Sequence, residues 1–581
     1  MQAAQFSHAL VACVTIPGAT RHRDALNPLP PALRARRRRQ DPDRTGRSRN
    51  GRVVRLGSHS LRAASAGLLA GLCAAAVGPL YVNHDAAWYL HMAGVWLDGG
   101  TLYRDVIDTN PPLIVFLTAL PVLIARALGA FEPAVFKAVV FAAGGVVLWI
   151  GSHLISRIWA TEGARQLLTI VLAFAVFPFV GVDFGQREHL ASMLVVAYVL
   201  IACAWATGNP VSARGDAAAG VAGALGFAIK PHFLMAWLAV ELALVLLRPA
   251  ARSWRRPAVL AAVATFVAYA AVVPLLAPAY LAVALEVVQV YGGLNAPVAE
   301  LLRIRDVRAW VVMAVAVAMI RLPREHRPAV LILFAAASGF FIAGMVQAKG
   351  WGYHFYPFRL FALLSGAALL SAVIEGWPAA LEAIRGGRMS VTAAVLAAAT
   401  LWSGRALSDA WRTIPHDHAR LLASVVHRLE RAESIALLSM RNVVYPAFPL
   451  VTYTGAQWVL RHNGLWFLPG LYAEALTGAS GTPVFRPVGD MPALERLYFR
   501  QIVDDLCARP PRLLIVEPPV QGAPAGGRSL DLVSYYRQDE GFDRLFSAYA
   551  PITRVGPYVV YLREGAGSCR ADRHAGPAIE P

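Results

Sequence analysis

Charge is scarce in this chain. Of its 581 residues only 15% are Asp, Glu, Lys or Arg, while 57% are hydrophobic and the mean hydropathy is +0.50. A soluble domain carries nearer a quarter charged residues, so most of the chain is excluded from that class. Cysteine is also sparse: there are five, in no metal-binding or redox spacing. Cys73 and Cys203 fall in apolar stretches, where a small packing role suits them. Cys507 and Cys569 lie in a later, polar region, and their spacing leaves open whether they pair. Acidic residues number 36 against 54 basic ones, giving a net charge of +18 and a pI near 10.1. Such a balance raises nucleic acid as a partner, but the placement argues against it. The arginines sit in a tail, from Arg34 through Arg36, Arg37, Arg38 and Arg39 to Arg55, and in short segments between apolar runs. Arginine there acts as a topology determinant or an anionic-lipid contact. The weak apolar run Ala9 to Ile16 lacks a basic start and reads as a poor signal peptide. No run long enough to cross a membrane follows Leu407.

What is present is a series of apolar stretches, at about 61–82, 133–156, 166–182, 189–207, 217–229, 232–247, 257–278, 307–320, 328–346, 357–375 and 389–407. They predict a mainly α-helical, polytopic membrane bundle of about eleven spans. With the tail inside, the inner loops hold Arg157 and Arg165; Arg214; Arg248, Arg252, Arg255 and Arg256; Arg321, Arg324 and Arg327; and Arg385 and Arg388. Every inner loop is then basic, as the positive-inside rule requires. This scheme needs Pro112 to Leu128 to lie along or dip into the outer surface, since another span there would invert every later loop. The shortness of 217–229 and 307–320 is its weakest point. Residues 1–60 read as a disordered, Arg-rich cytoplasmic tail, 61–407 as the membrane domain and 408–581 as a small extracytoplasmic α/β domain. The protein is expected in the inner (plasma) membrane with its C-terminal domain on the periplasmic or extracellular side.

The outer loops are rich in polar and aromatic residues. The first carries Asp85, Trp88 and Tyr89 directly after a span, then Gly100, Tyr103, Asp108, Asn110 and the pair Pro111-Pro112. A carboxylate at the membrane boundary can act as a general base toward a hydroxyl held at that depth. Taken alone, Asp85 is equally an Asp that ends a span at the water interface. The second loop holds Asp183, Gln186, Arg187 and Glu188, a polar cluster that is costly between apolar spans unless solvated or used. Arg187 suits a phosphate. Lys230 follows between two short spans, and the last inter-span outer loop brings Lys349, Trp351, Tyr353 and His354. The plainer account of that last loop is an aromatic belt with a snorkelling lysine. Together these loops offer carboxylates, cations and rings at one membrane depth, which suits an amphiphile whose phosphate bears a sugar.

The pattern Asp85…Tyr89…Gly100…Tyr103…Asp108-Thr-Asn-Pro111-Pro112-Leu113 resembles the multi-spanning GT-C glycosyltransferases, in particular the protein O-mannosyltransferase-like group that includes the lipid A aminoarabinose transferases. The Gly185-Gln186-Arg187-Glu188 and Lys349-Gly350-Trp351…His354…Pro357 segments are similar to members of that group. The resemblance spans residues 61–407. It implies inverting transfer from a polyprenyl-phosphate sugar to a glycolipid, polysaccharide or protein of the envelope, at a membrane-lipid interface and without a nucleotide donor; the placement of the arginines separately leads us to expect no nucleic-acid partner. It implies Asp85 as the catalytic Asp and Asp183 or Glu188 as a second acid. Arg187, Lys230, Lys349 and His354 are the candidates for the donor phosphate; Tyr89, Tyr103, Asp108, Asn110, Trp351 and Tyr353 are candidates for shaping the sugar pocket. Two departures stand out: Ala86 where many members have Glu, and Asn110 where many have Lys before the Pro pair. The resemblance singles out no cofactor, and Asp85, Asp183 and Glu188 would suit a divalent cation. The competing reading is a transporter or lipid flippase, whose ionisable residues would lie nearer the midplane on broken helices.

Beyond the last span, Asp417 to Arg431 and Met491 to Cys507 read as helices and Pro511 to Glu517 as a buried strand. A helix over Asp531 to Tyr549 and a strand over Tyr558 to Leu562 complete the expectation.

Overall fold

The computed structural model describes residues 58–78, 82–249, 253–376, 388–413, 417–429, 434–440, 444–473, 485–519, 530–565 and 567–569. The tail with Arg34 to Arg55, and Arg252 and Arg385 of the basic loops, lie outside the described residues.

Each expected apolar stretch falls on a helix: α1 (Ser58–Val77), α4 (Glu132–Ile158), α5 (Glu162–Val176), α6 (Arg187–Ala206), α7 (Ala213–Ala228), α8 (Leu234–Leu247), α9 (Pro257–Leu276), α11 (Arg305–Met319), α12 (Arg327–Val346), α13 (Tyr356–Gly376) and α14 (Arg388–Thr413). Among the described residues eight helical segments are long and apolar enough to cross a bilayer, and the protein is a polytopic membrane protein. Three of the eleven helices, α7, α8 and α11, are shorter, at 16, 14 and 15 residues. Between the spans run α2 (His84–Leu97), α3 (Leu113–Leu128) and α10 (Tyr280–Tyr291). The segment expected to lie on the surface is thus α3, a helix too short to count among the eight.

Helix α6 is apolar on all sides because it sits in the middle: 78% of its span is buried, against 17% for α9 and for the span in α14. Lipid tails give helices no hydrophobic drive to associate, so close approach of small residues holds the bundle. A Cβ on Gly220 of α7 would lie 2.3 Å from the Ala258 carbonyl oxygen of α9. A Cβ on Gly339 of α12 would lie 2.4 Å from Ala236 Cα of α8. Both pairs are backbone against backbone.

After α15 (His418–Arg428) comes a five-stranded sheet in the order β2-β1-β3-β5-β4, from β1 (Ser434–Leu438), β2 (Gln457–Trp458), β3 (Leu513–Val516), β4 (Tyr549–Val555) and β5 (Tyr558–Arg563). Strands β1, β2 and β3 are parallel, and β5 runs antiparallel to β3 and β4. Strand β3 is buried throughout, as the run Leu513-Leu514-Ile515-Val516 requires. Helix α16 (Ala493–Ala508) precedes it. The expected helix over 531–549 is corrected: it is two short helices, Leu532–Tyr536 and Glu540–Phe546, and Tyr549 opens β4. Tyr549 to Val555 alternates too weakly to reveal a strand; pairing with β5 makes it one. Cys507 and Cys569 form a disulfide, with Cα atoms 5.5 Å apart, whereas Cys73 and Cys203 are free and buried.

The sheet module packs on the first loop. Phe448 meets Trp88 of α2 edge to face at 4.9 Å, and Ile107 N–H donates to the Arg461 carbonyl at 2.7 Å. Gly470 packs against Gly293 after α10 so closely that a Cβ on either would strike backbone oxygen.

Gly220→Val and Gly339→Val should each cost about 1–3 kcal/mol by overpacking. The check is a lowered denaturation midpoint of purified protein in mixed micelles; Gly67→Val, where a Cβ meets open space, should not lower it.

Candidate functional site

Helices that cross alternately bring every second connection to the same end. The end of α1, the start of α6, the end of α7 and the turn between α12 and α13 share one end of the bundle, and α10 and the sheet module join them there. This parity, rather than any local motif, gathers the candidate residues.

Asp85 lies in the first turn of α2, where the helix dipole favours a carboxylate, and the Asn83 side chain caps that turn by accepting from Asp85 N–H at 3.0 Å. Arg187 lies in the first turn of α6, the unfavourable end for a cation. The two compensate each other: Arg187 Nη2 donates to Asp85 Oδ2 at 2.9 Å, with Gln186 Nε2 on the same oxygen at 2.8 Å. The ladder continues inward. Arg187 Nε lies 3.9 Å from Glu188 Oε2, and Lys230 Nζ donates to Glu188 Oε1 and, at 3.0 Å, to Gln347 Oε1. Arg187, Glu188 and Lys230 are all buried, and neither Arg187 Nε nor Glu188 Oε2 makes a hydrogen bond. The turn before them needs glycine: Gly185 has φ +82°, a Cβ there would strike the Phe136 ring, and its N–H donates to His189 Nδ1 at 3.0 Å.

Burial by itself would raise the Asp85 carboxyl, but Arg187, His84, the Gln186 hydrogen bond and Lys230 together hold it below the ordinary carboxylate range. Asp85 is therefore ionised at neutral pH, and its Oδ1, 3.5 Å from His84 Nε2, is the less engaged oxygen. Burial pushes Asp108 up, against the opposing pull of Arg187 and the Asn110 hydrogen bonds. Burial lowers Lys230 to about 8, with Glu188 resisting, and lowers Lys349 to about 8.

Asp108 organises the first loop. It accepts from Trp88 Nε1 at 2.8 Å and from the backbone and side chain of Asn110, each at 2.7 Å. Asn110 Nδ2 in turn donates to Tyr89 OH at 3.2 Å. Tyr103 and Ala348 are the non-glycine residues with positive φ among those described, and both belong to loops of this site, where such strain tends to collect.

Two cavities share Thr109, Asn110, Arg187, Tyr291 and Tyr353 as a wall. The narrow one, about 60 Å³, is lined by Asp85, Tyr89, Asp108, Trp351, Asn463 and Trp466 among others. The wider one, about 360 Å³, runs from Lys230, His232, Lys349 and His354 to the apolar face of α10 at Tyr280, Ala284, Val287 and Val288. The Nδ1 atoms of His232 and His354 are buried there without a hydrogen bond.

The site thus assembles most of the candidate residues, but not all in the expected manner. Glu188 and Asp183 line neither cavity; Asp183 instead meets Asn83 Nδ2 at 3.4 Å. Among the described residues no three His, Cys, Asp or Glu side chains form a group fit to hold a metal ion, so Asp85, Asp183 and Glu188 do not constitute the cation site considered above. Tyr103 lies behind the wall, its OH on the Asn110 carbonyl. Lys349 lines the wider cavity but is occupied, donating to the Tyr291 carbonyl and to Asn295 Oδ1 at 2.7 Å, which ties α10 to the 347–351 turn. Sequence reasoning missed Tyr291 and α10, which lie between two of the expected spans. It also missed Asn463 and Trp466, which come from the sheet module more than 350 residues from Asp108; Asn463 Nδ2 reaches Asp108 Oδ2 at 3.4 Å across a separation of 355 residues.

No family model matches the sequence, and no curated protein is significantly similar to it in sequence. Among solved structures, ArnT from Cupriavidus metallidurans bound to undecaprenyl phosphate superposes with a TM-score of 0.55 at 12% identity, over 87% of this chain and 98% of that one. The chain has a GT-C-like fold. The apo state of the same ArnT gives a TM-score of 0.50 at 12% identity, over 85% of this chain and 96% of that one.

Lys230→Ala would leave Glu188 buried without its cation and should cost about 3–5 kcal/mol. The double variant Glu188→Gln/Lys230→Met should recover most of that loss in the denaturation midpoint. Equal loss in both would mean that side-chain packing, not charge, holds this part of the ladder.

Proposed function

We propose that this protein is an inverting glycosyltransferase that moves a sugar from a polyprenyl-phosphate donor to an envelope acceptor, which is a glycolipid, polysaccharide or protein. The observation that carries the proposal is the junction of the two cavities. An ionised, partly free carboxylate, Asp85, faces an aromatic-lined pocket, and Arg187 stands where that pocket meets an apolar groove that α10 floors and Lys230 ends. One amphiphile with a sugar, a phosphate and an isoprenoid chain matches the pocket, the junction and the groove in turn. The ArnT relative in fold was solved with undecaprenyl phosphate, which supports the same class of lipid here.

In the proposed reaction, Asp85 Oδ1 takes the proton from an acceptor hydroxyl as its oxygen attacks the anomeric carbon. The new C–O bond forms on one face while the bond from that carbon to the lipid phosphate oxygen breaks on the other. The electron pair leaves with the phosphate, whose growing charge Arg187 and Lys230 stabilise. Arg187 holds Asp85 through Nη2 and has Nε free of hydrogen bonds; Lys230 is a three-donor ammonium with two bonds made. Tyr89, Asn110, Trp351 and Tyr353, joined by Tyr291 and Trp466, form the walls for the sugar.

The proposed orientation puts this end of the bundle on the periplasmic or extracellular side of the plasma membrane. Basic loops at the opposite end support it, as does the Cys507–Cys569 disulfide, since such bonds persist in oxidising compartments. Residues 61–407 are then the transferase domain and 408–581 an extracytoplasmic one.

The test is transfer from a panel of labelled polyprenyl-phosphate sugars to envelope extract, with protein in lipid bilayers. Asp85→Asn should lower the rate by about 10²–10⁴-fold with folding intact; undiminished transfer would remove Asp85 from the mechanism. Donor affinity should fall as pH rises through about 8, because Lys230 then loses its proton. Lys230→Arg stays charged and should remove that part of the pH dependence which belongs to Lys230.

A further inference from the structure

A larger cavity lies on another side of α2. It measures about 610 Å³, within the range of small-ligand sites, and is lined by His91 and Val95 of α2, Arg104 and Asp105 of the first loop, β2 and the segment after it, and the end of α16 at Asp505 and Arg509. Its charges are unequally matched. Asp505 is taken up by Arg461, which binds it through Nε and Nη2 at 3.1 and 2.7 Å. Asp105 is shared between its neighbour Arg104 and the Thr101 N–H. Arg509 is exposed, donates to the Val459 carbonyl at 2.8 Å and has no acidic partner among the described residues. Arg104 is also exposed and tethered only to the residue beside it. His91 is held neutral by burial and by Arg509, its pKa pushed down to about 4, so it neither adds to nor offsets the charge of Arg509.

The walls of this cavity are also walls of the catalytic one. Helix α2 gives Asp85 and Tyr89 to the one and His91 and Val95 to the other, about 120° apart around the helix. The first loop gives Asp108 to Asn110 to the one and Arg104 and Asp105 to the other. The segment after β2 gives Asn463, Gly464 and Trp466 to the one and Leu460 and Arg461 to the other. The seam between them is the Ile107–His462 bridge.

We propose that this cavity is a second binding site, for an anionic saccharide bearing phosphate or carboxylate, and that it docks the acceptor beside the catalytic pocket. The unpaired cationic charge of Arg509, with the exposed Arg104–Asp105 pair beside it, selects the anion. Ala456, Trp458 and Leu460 supply an apolar wall for sugar rings, and β2, as the sheet's edge, presents backbone polar groups to hydroxyls. A peptide adding to that edge fits less well: β2 is two residues long, and Arg509 already occupies the Val459 carbonyl that would continue its ladder. The docking role rests on the glycosyltransferase reading; the binding site does not.

The experiment therefore measures binding without donor, by calorimetry on the full chain in lipid nanodiscs. The probes are N-acetylglucosamine 1-phosphate, tetragalacturonate, neutral maltotetraose and an extended acidic peptide. Saturable binding of the phosphate or the carboxylate probe is expected, with maltotetraose at least tenfold weaker; which charged probe binds tells phosphate from carboxylate. Arg509→Ala and Arg104→Ala should each weaken it at least fivefold, the second being a surface change that leaves the Val459 contact in place. Arg187→Ala should leave it within twofold. Binding lost in Arg187→Ala but kept in Arg509→Ala would put the ligand in the catalytic pocket and overturn the proposal. Binding of neutral and charged sugars alike, binding of the peptide alone, or no binding of any probe would overturn it as well. In the transfer assay Arg509→Ala should raise the acceptor KM at constant kcat; failure of all transfer would instead count against the glycosyltransferase reading and leave the binding result standing.

Discussion

The structure of this protein turns on a short ladder of buried charges, Asp85–Arg187–Glu188–Lys230, strung across the ends of α2, α6 and α7. Each member alone would be prohibitive at this depth, because a lone ion loses its hydration and gains nothing. Held within 2.9 Å, Asp85 lets Arg187 sit at the wrong end of a helix dipole, and Lys230 makes a buried Glu188 tolerable. Three helices and the turn bearing Gln347 are thereby fixed in one arrangement. The same contacts leave Asp85 ionised at the edge of a cavity that Arg187 also lines.

The surrounding architecture protects this ladder from water while leaving two approaches to it. From one side, α10 presents Ala284, Val287 and Val288 along a groove that ends at Lys230 and Arg187. From the opposite side, the sheet module closes over the first loop and delivers Asn463 and Trp466 to the narrow pocket. Lys349 ties α10 to the 347–351 turn, and Gly293 and Gly470 let α10 and the module meet backbone to backbone. The module is thus part of the site's wall, and a change in its seating would be felt at Asp108.

Much of this was legible in the sequence, because membrane helices obey a strong one-dimensional rule. A stretch of apolar residues long enough to cross a bilayer must become a helix, since nothing else satisfies its backbone there. The clusters between such stretches stood out because polar residues are costly beside them. Hence Asp85, Arg187, Lys230, Tyr353 and Asn110 could be singled out together, and the structure gathers them around two adjoining cavities. The roles of their neighbours were harder to see. Glu188 and Lys349 looked like catalytic and phosphate-binding groups, yet each is engaged in an internal contact, because residue type does not reveal which partner a charge will find.

By itself, then, the sequence determined the class, the helices and the polar loops that gather at the candidate site, through hydropathy, the price of buried charge and the distribution of arginine. Only the tertiary structure decided which of those loop residues meet: that Asp85 pairs with Arg187, that Asp183 turns away toward Asn83, that α10 floors a groove, and that Asn463 comes from 355 residues beyond Asp108 to touch it. It also decided that Tyr549 to Val555 is a strand and that Cys507 joins Cys569. The physical reason is the same throughout. Burial and hydropathy are properties of a residue in its local run, whereas ion pairs, sheet partners and cavity walls are relations between distant residues, set only when the bundle packs.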